Sequence, residues 1–284
     1  MSHPNQNATT GTAYLVGAGP GDPELLTVKA RRLLDEADVV LHDNLVGDDL
    51  VETIPDCTTL RNVGKRPGGE RTPQAEINEM LVREARAGRD VVRLKGGDPT
   101  TFGRGGEEAE YLARHGVAFE FVPGVSSAIA GPSAAGIPAT HRDHASALAV
   151  VTGHEDPTKA DSAIDWEALA DIVSAGGTLV VLMGVGRLPD NVAALESHGV
   201  DTETPVAMVE RATLPTERTV TGTLDTIVER ARAVDVEPPA VTVVGDVVNV
   251  RETVADCLGG AAGELGPAVG VGSRADEEIG VNHQ

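Results

Sequence analysis

Aromatic residues are almost missing from this chain: three Phe, two Tyr and one Trp make up 2% of 284 residues. A core built without them must rely on Val, Leu, Ile and Ala. The hydrophobic content of 40% supplies enough of these for one large domain or two modest ones. Lysine is also scarce, with Lys29, Lys65, Lys95 and Lys159 the only four. No apolar run approaches the ~20 residues that cross a bilayer, so no membrane segment is expected, and the polar opening Met1-Ser2-His3-Pro4-Asn5 is not expected to be a signal peptide. Cysteine is limited to Cys57 and Cys257, far apart and without metal-ligand spacing. Free thiols in a cytoplasmic protein are the simplest reading. There is no clustered His/Cys set to hold a metal, and no Lys/Arg-rich patch through which nucleic acid would bind.

Acid is abundant. The 44 Asp and Glu residues against 23 Lys and Arg leave a net charge of −21. Many carboxylates with few lysines point to adaptation to high salt, where counterions screen the self-repulsion that opposes compaction.

From Thr12 onward, short β-branched runs alternate with amphipathic segments. Residues 39–41, 91–94 and 119–122 read as strands, and residues 26–37 and 73–87 as helices. Thr72 is the expected N-cap of the second helix, Pro73 its first residue and Gly88 its stop. This alternation implies a largely parallel sheet with covered faces. In the second half, residues 148–152 and 179–183 read as buried strands, followed by short strands at 205–210, 218–221 and 240–244, with a helix at 224–233 before the last. The hairpin-like spacing around Leu214-Pro215-Thr216 implies antiparallel edges and a mixed sheet. The expected fold is therefore α/β: two α/β domains, 12–140 and 145–253, with the boundary between Pro138 and Ala147 and a ligand crevice between them. Residues 1–11 are expected to be disordered and residues 254–284 to form a flexible acidic tail.

Three segments carry chemistry. Tyr14-Leu15-Val16-Gly17-Ala18-Gly19-Pro20-Gly21-Asp22-Pro23 is a strand entering a glycine-rich turn. It departs from a dinucleotide loop, because a third glycine before the helix is missing and Pro20 interrupts the turn. Asp38 and Asp43 both stand where a ribose-binding acid would lie. Cofactor binding and a simple tight turn are both open readings there. Val92-Arg93-Leu94-Lys95-Gly96-Gly97-Asp98-Pro99 is a strand ending in glycines and an acid, where backbone can approach a ligand closely. Asp98 either serves that ligand or caps the following turn. Val122-Pro123-Gly124-Val125-Ser126-Ser127 leads into a small-residue helix, which one of the serines would N-cap in the simpler reading.

Together with Val63-Gly64-Lys65-Arg66, Phe102-Gly103-Arg104-Gly105-Gly106-Glu107-Glu108 and Thr140-His141-Arg142-Asp143, these motifs resemble the tetrapyrrole methyltransferase family, in the same order over roughly residues 12–253. The resemblance implies an S-adenosyl-L-methionine site lined by Pro20, Gly96, Gly97, Asp98, Thr101, Ser126, Ser127, Met183, Ala212 and Ala240. Thr100 and Thr101 depart from the bulky apolar residues usual there, and Thr101 matches a backbone contact. Asp43 and Lys65 match the family's proton acceptor and donor. Each also has an ordinary alternative, as a turn acid and a surface lysine.

The implied activity is methylation of uroporphyrinogen III at C2 and C7, giving precorrin-2 via precorrin-1, on the way to cobalamin and sirohaem. The substrate carries eight carboxylates, so Arg66, Arg104, Arg142 and Arg211 are the expected substrate-binding cations. Each arginine could instead pair with a nearby acid, above all Arg104 beside Glu107 and Glu108. The resemblance also implies a homodimer. Rivals are a later precorrin or cobalt-precorrin methyltransferase, a nucleotide-binding oxidoreductase using residues 17–21, and a non-catalytic ligand sensor.

Overall fold

A computed structural model describes residues 10–64, 72–159 and 162–257. Two five-stranded sheets organise the chain. The first has the order β3-β2-β4-β1-β5, built from β1 (Ala13–Gly17), β2 (Val39–His42), β3 (Thr59–Asn62), β4 (Val91–Lys95) and β5 (Phe119–Val122). All its pairings are parallel. The second has the order β6-β7-β10-β8-β9, from β6 (Leu148–Thr152), β7 (Thr178–Leu182), β8 (Pro205–Glu210), β9 (Arg218–Thr223) and β10 (Ala240–Val244). Only β6 and β7 run parallel there, and the other neighbours are antiparallel. Both sheets match the expected class, one parallel and one mixed.

Strand alternation sorts the first core into two layers. Ala13, Leu15, Val39, Leu41 and Val91 face α3 (Gln74–Arg86) and α4 (Gly105–Arg114), packing with Ile77, Leu81, Ala109 and Leu112. Val16, Val40, Val92 and Leu94 face the opposite way, onto Ala30, Leu33 and Leu34 of α1 (Val28–Glu36) and Leu50 of α2 (Asp48–Val51). Thr27 caps α1, accepting from the Ala30 amide, so this helix starts later than expected. In α3 the cap position is Pro73, not Thr72; the Pro73 carbonyl accepts from the amides of Glu76 and Ile77. Gly88 follows that helix with a φ of 81°, the left-handed turn that ends it.

The second sheet buries Leu179, Val181, Val206 and Met208 against α6 (Trp166–Ser174), α7 (Leu188–Ser197) and α8 (Ile227–Ala233). Its other face packs on α5 (Ser127–Ala134) and α9 (Val248–Cys257), through Ala128, Ala135, Ile137 and Val248. Thus α5, which follows the last strand of the first sheet, packs on the second. Its small residues allow this: a Cβ at Gly131 would lie 3.1 Å from Val241. The α9 helix continues to Cys257 with Ala255 buried, so residues 254–257 are packed chain where a tail was expected. Gly11 donates to the Ala85 carbonyl and is likewise tied down, while residues 1–9 and 258–284 lie outside the described residues.

Candidate active site

The crevice is built where the carboxyl ends of β1, β4 and β5 meet, the usual ligand side of a parallel sheet. Three loops interlock there with almost no side chain between them. Gly19 and Gly97 exchange backbone hydrogen bonds of 3.2 and 2.7 Å, forming an isolated antiparallel bridge. A Cβ at Gly17 would lie 2.6 Å from both the Gly97 oxygen and the Gly124 Cα, and one at Gly124 would lie 2.7 Å from the Gly17 Cα. Only glycine permits this approach. Ser126 caps α5 by accepting from the Ala128 amide, and the Ser127 hydroxyl lies beside Gly97. Asp98 ties two loops together. Its Oδ1 accepts from the Thr100 amide at 2.8 Å, the Thr100 hydroxyl at 2.6 Å and the Thr101 hydroxyl at 3.4 Å, and its Oδ2 accepts from the Gly124 amide at 3.1 Å. Partial burial favours the neutral acid, but these donors outweigh it and hold the carboxyl below its ordinary range. The capping reading of Asp98 is thus realised, and the two threonines that depart from the family pattern are its donors.

The second sheet closes the crevice from the other side. The Asp22 amide donates to the Thr213 hydroxyl at 3.1 Å, and Leu214 packs over Gly21. Ala212 is buried in this loop. The β7–β10 register ends with Leu182 paired to Val241, so Met183 and Ala240 each lie one residue past that pair, and Ala240 in turn pairs with Glu210. Met183 lies just beyond β7 with a φ of 57° and is 55% exposed, so it is not the core residue its strand position suggested. Pro20, Gly96, Gly97, Asp98, Thr101, Ser126, Ser127 and Ala212 therefore sit on loops in mutual contact, with Met183 and Ala240 at the adjoining sheet end.

Beside these loops lies a charge network that the sequence reading missed. Arg93 and Lys95 alternate on β4 and point, with Val91, toward α3 and α4. Arg93, Lys95 and Glu108 are buried. Oε1 of Glu108 accepts from Arg93 Nε at 3.0 Å, Lys95 Nζ at 3.1 Å and Gln74 Nε2 at 3.0 Å. Arg93 Nη1 donates to the carbonyls of Leu41 and Leu94, and its Nη2 donates to Asp43 Oδ1 at 2.5 Å. Lys95 Nζ stands 4.0 Å from Asp43 Oδ2. The Asp43 side chain is 28% exposed, the one point where these acids and cations meet solvent. Burial opposes the Arg93 charge, but Glu108 and Asp43 outweigh it and raise the group above its ordinary value. For Lys95, burial and then the Arg93 charge prevail, and the ammonium is pushed below its ordinary value. A legible signal existed: helical periodicity puts Glu108 on the inner stripe of α4 with Gly105, Ala109 and Leu112, facing two charged residues of an otherwise apolar strand.

The remaining candidates are less assembled. Lys65 and Arg66 lie outside the described residues. Arg104 is exposed and held in a two-pronged pair by Glu107 at 2.9 and 2.7 Å, as the ordinary reading had it, while Glu108 turns inward. Arg142 is exposed, and Arg211 bonds Glu237 at 3.3 Å. Asp38 accepts from the Asp90 amide ahead of β4, at the opposite end of the sheet, and is removed as a ribose ligand. Among the described residues no helix is long and apolar enough to cross a membrane.

A parallel sheet with glycine-crowded loops, joined to a mixed sheet across a crevice, defines an α/β class of small-molecule site. Residues 12–228 match the Tetrapyrrole (Corrin/Porphyrin) Methylases, and the chain belongs to this family. It is 52% identical over 246 residues to an S-adenosyl-L-methionine-dependent uroporphyrinogen III methyltransferase of Methanosarcina barkeri, covering 87% of this chain and 95% of that one. Among solved structures it is similar to a uroporphyrin-III C-methyltransferase of Thermus thermophilus complexed with S-adenosylhomocysteine, with 47% identity, a TM-score of 0.72, and coverage of 84% of this chain and 100% of that one. A cobalt precorrin-4 methyltransferase has a TM-score of 0.75 at 28% identity, covering 87% of this chain and 99% of that one.

Proposed function

We propose that the chain transfers methyl groups from S-adenosyl-L-methionine to C2 and then C7 of uroporphyrinogen III, giving precorrin-2 via precorrin-1. The observation that carries this reading is the bare-backbone cradle of Gly17, Gly97 and Gly124 beside the half-buried carboxylate of Asp43. The residues present fit the donor. Backbone at Gly96 and Gly97 can meet its hydroxyls and ammonium, while Ala212, Ala240 and exposed Met183 offer apolar surface to its adenosine and sulfonium. When bound, the donor supplies an electrophilic methyl group. The protein's part is to hold a nucleophilic ring carbon in line with that methyl. Carbon–carbon bond formation leaves the tetrapyrrole cationic, and the Asp43 carboxylate accepts the proton whose loss restores neutrality. Lys65 is the matching proton donor, and Arg66, Arg104, Arg142 and Arg211 hold substrate carboxylates. Holding them requires Arg104 and Arg211 to exchange a protein acid for a substrate acid.

The same reading includes two units divided between residues 138 and 147, a homodimer, a cytoplasmic location and adaptation to salt. With a net charge of −21 facing a polyanion, repulsion acts over roughly 30 Å at 0.01 M salt and about 3 Å at 1 M. Activity should therefore rise with salt, and kcat/KM measured only where circular dichroism shows a folded chain separates substrate capture from stability. A flat or falling kcat/KM leaves salt a purely structural role. The deciding assay follows S-adenosylhomocysteine release with uroporphyrinogen III and weighs the tetrapyrrole product. A gain of two methyl groups supports the reading, whereas turnover only with a later precorrin replaces it. Thermal stabilisation by NADH alone overturns methyl transfer altogether.

A further inference from the structure

We propose that Glu108, acting through Arg93 and Lys95, is a positioning residue that sets both the place and the basicity of the Asp43 carboxylate. The inference rests on the reading of Asp43 as proton acceptor and deepens it. Arg93 is fixed by its own bonds: Nε to Glu108, Nη1 to the carbonyls of Leu41 and Leu94, and Nη2 to Asp43. A guanidinium with its donors committed on each side cannot follow a wandering carboxylate, so Asp43 Oδ1 is pinned at 2.5 Å. The Asp43 amide, donating to the Leu94 carbonyl at 3.3 Å, anchors the same residue from its backbone.

Charge balance gives Glu108 its second effect. Two cations on β4, Arg93 and Lys95, face two anions, Asp43 beyond β2 and Glu108 on α4. Among the described residues His42 is a further titratable group at Asp43, with Nδ1 3.2 Å from the Asp43 carbonyl oxygen. From α3, Gln74 contributes a neutral donor to Glu108. Were Asp43 the sole counterion of two buried cations, it would be held strongly as the anion and be a poor base. Glu108 takes up part of that field. Its Oε2 is buried with no hydrogen-bond partner, so this side chain spends one oxygen on all three donors and contributes the rest as charge. The network is thus neutral while Asp43 is ionised and carries one net positive charge once Asp43 accepts a proton. That cost favours handing the proton on to solvent through the exposed edge of Asp43.

Opposite shifts in the pH profile test this. Glu108→Gln keeps shape and removes one anion, so the acid limb of kcat/KM moves to lower pH by about one unit, and the plateau falls with the weaker base. Lys95→Met removes one cation 4.0 Å from Asp43, so the limb moves to higher pH by a similar amount. A merely structural role lowers the yield of folded enzyme and leaves the limb in place. Profiles are taken only where circular dichroism shows the variant folded; if one variant does not fold, the other decides. Limbs unmoved, or moved in the same direction, overturn the proposal. Asp43→Asn separates the two claims. If it keeps full turnover, the acceptor reading itself fails. If it loses turnover while the other profiles stay in place, only the positioning role fails.

Discussion

The two sheets meet at one crevice but equip it differently. At the ends of the parallel sheet the chain buries ions: Arg93 and Lys95 have side chains only 2% and 4% exposed, against a fully buried Glu108. In the mixed sheet the comparable acid, Glu210, is answered by Arg218, whose side chain is 43% exposed and reaches the surface. Backbone follows the same divide only in part, since the first half also holds Phe102 and Arg104 left-handed, with φ of 52° and 60°. The first half turns at the crevice on glycines, Gly19 and Gly97, with φ of 78° and 67°. The second uses residues with side chains, Met183, Arg211 and Thr213, at φ of 57°, 48° and 69°. A left-handed non-glycine residue costs roughly 1–2 kcal/mol, so a side chain retained there has a use that offsets the strain. One half offers bare backbone and a carboxylate pinned by a buried arginine, and the other offers shape.

The comparison breaks first at Asp43. Asp43→Asn should lower turnover by roughly 10²–10⁴-fold while donor affinity in calorimetry stays unchanged, because the proposed function gives the carboxylate to the tetrapyrrole and not to the methyl donor. Loss of donor affinity in proportion to turnover would move Asp43 into the donor site. Next in size is Gly124→Ala. Its Cβ meets Gly97 and Gly17 backbone that cannot yield without opening the bridge to Gly19. Overpacking of this kind costs about 1–3 kcal/mol or more, and both denaturation midpoint and donor affinity should fall together. A variant that is stable and still binds would show that the loops have room.

Most of this architecture was legible in the sequence, because β-branched runs and glycine turns are local signals. The alternation of Val91, Arg93 and Lys95 on β4 was equally plain, yet its meaning depended on Glu108, fifteen residues from Arg93 along the chain. Pairing across that gap is decided by tertiary packing, which places the inner stripe of α4 over β4. For the same reason α5 follows the first sheet in sequence yet packs on the second, which its small residues fit. Glu107 and Glu108 show the limit most clearly, as adjacent acids of one motif that point to solvent and to the core.

Asp98 sharpens the comparison from within the first half, since it serves as a cap and as a candidate donor ligand. Asp98→Ala should weaken donor binding by about 1–3 kcal/mol if the carboxylate accepts from the ligand. It should also remove stability that depends on pH. A carboxyl held below its ordinary range contributes stability above that range and loses it as pH falls through its folded value. The stability gap between wild type and Asp98→Ala in urea should therefore narrow on acidification. A gap independent of pH, with donor affinity unchanged, would mean that the contacts of Asp98 with Thr100, Thr101 and Gly124 matter only through packing.

Met183→Gly carries the smallest expected effect and tests the second half directly. Glycine relieves left-handed strain of roughly 1–2 kcal/mol but loses about 0.5–1 kcal/mol through its freer unfolded chain. Little burial is forfeited, because Met183 is 55% exposed. Folding stability should hold or rise by up to about 1 kcal/mol, while affinity for S-adenosylmethionine should fall with the thioether that the proposed function sets against it. The pairing of signs is the point. At Gly124 an added methyl harms fold and binding together, whereas at Met183 a removed side chain should harm binding alone. A stability loss with unchanged donor affinity would make Met183 a structural residue, and the strained turns of the mixed sheet would then need an explanation other than the ligand.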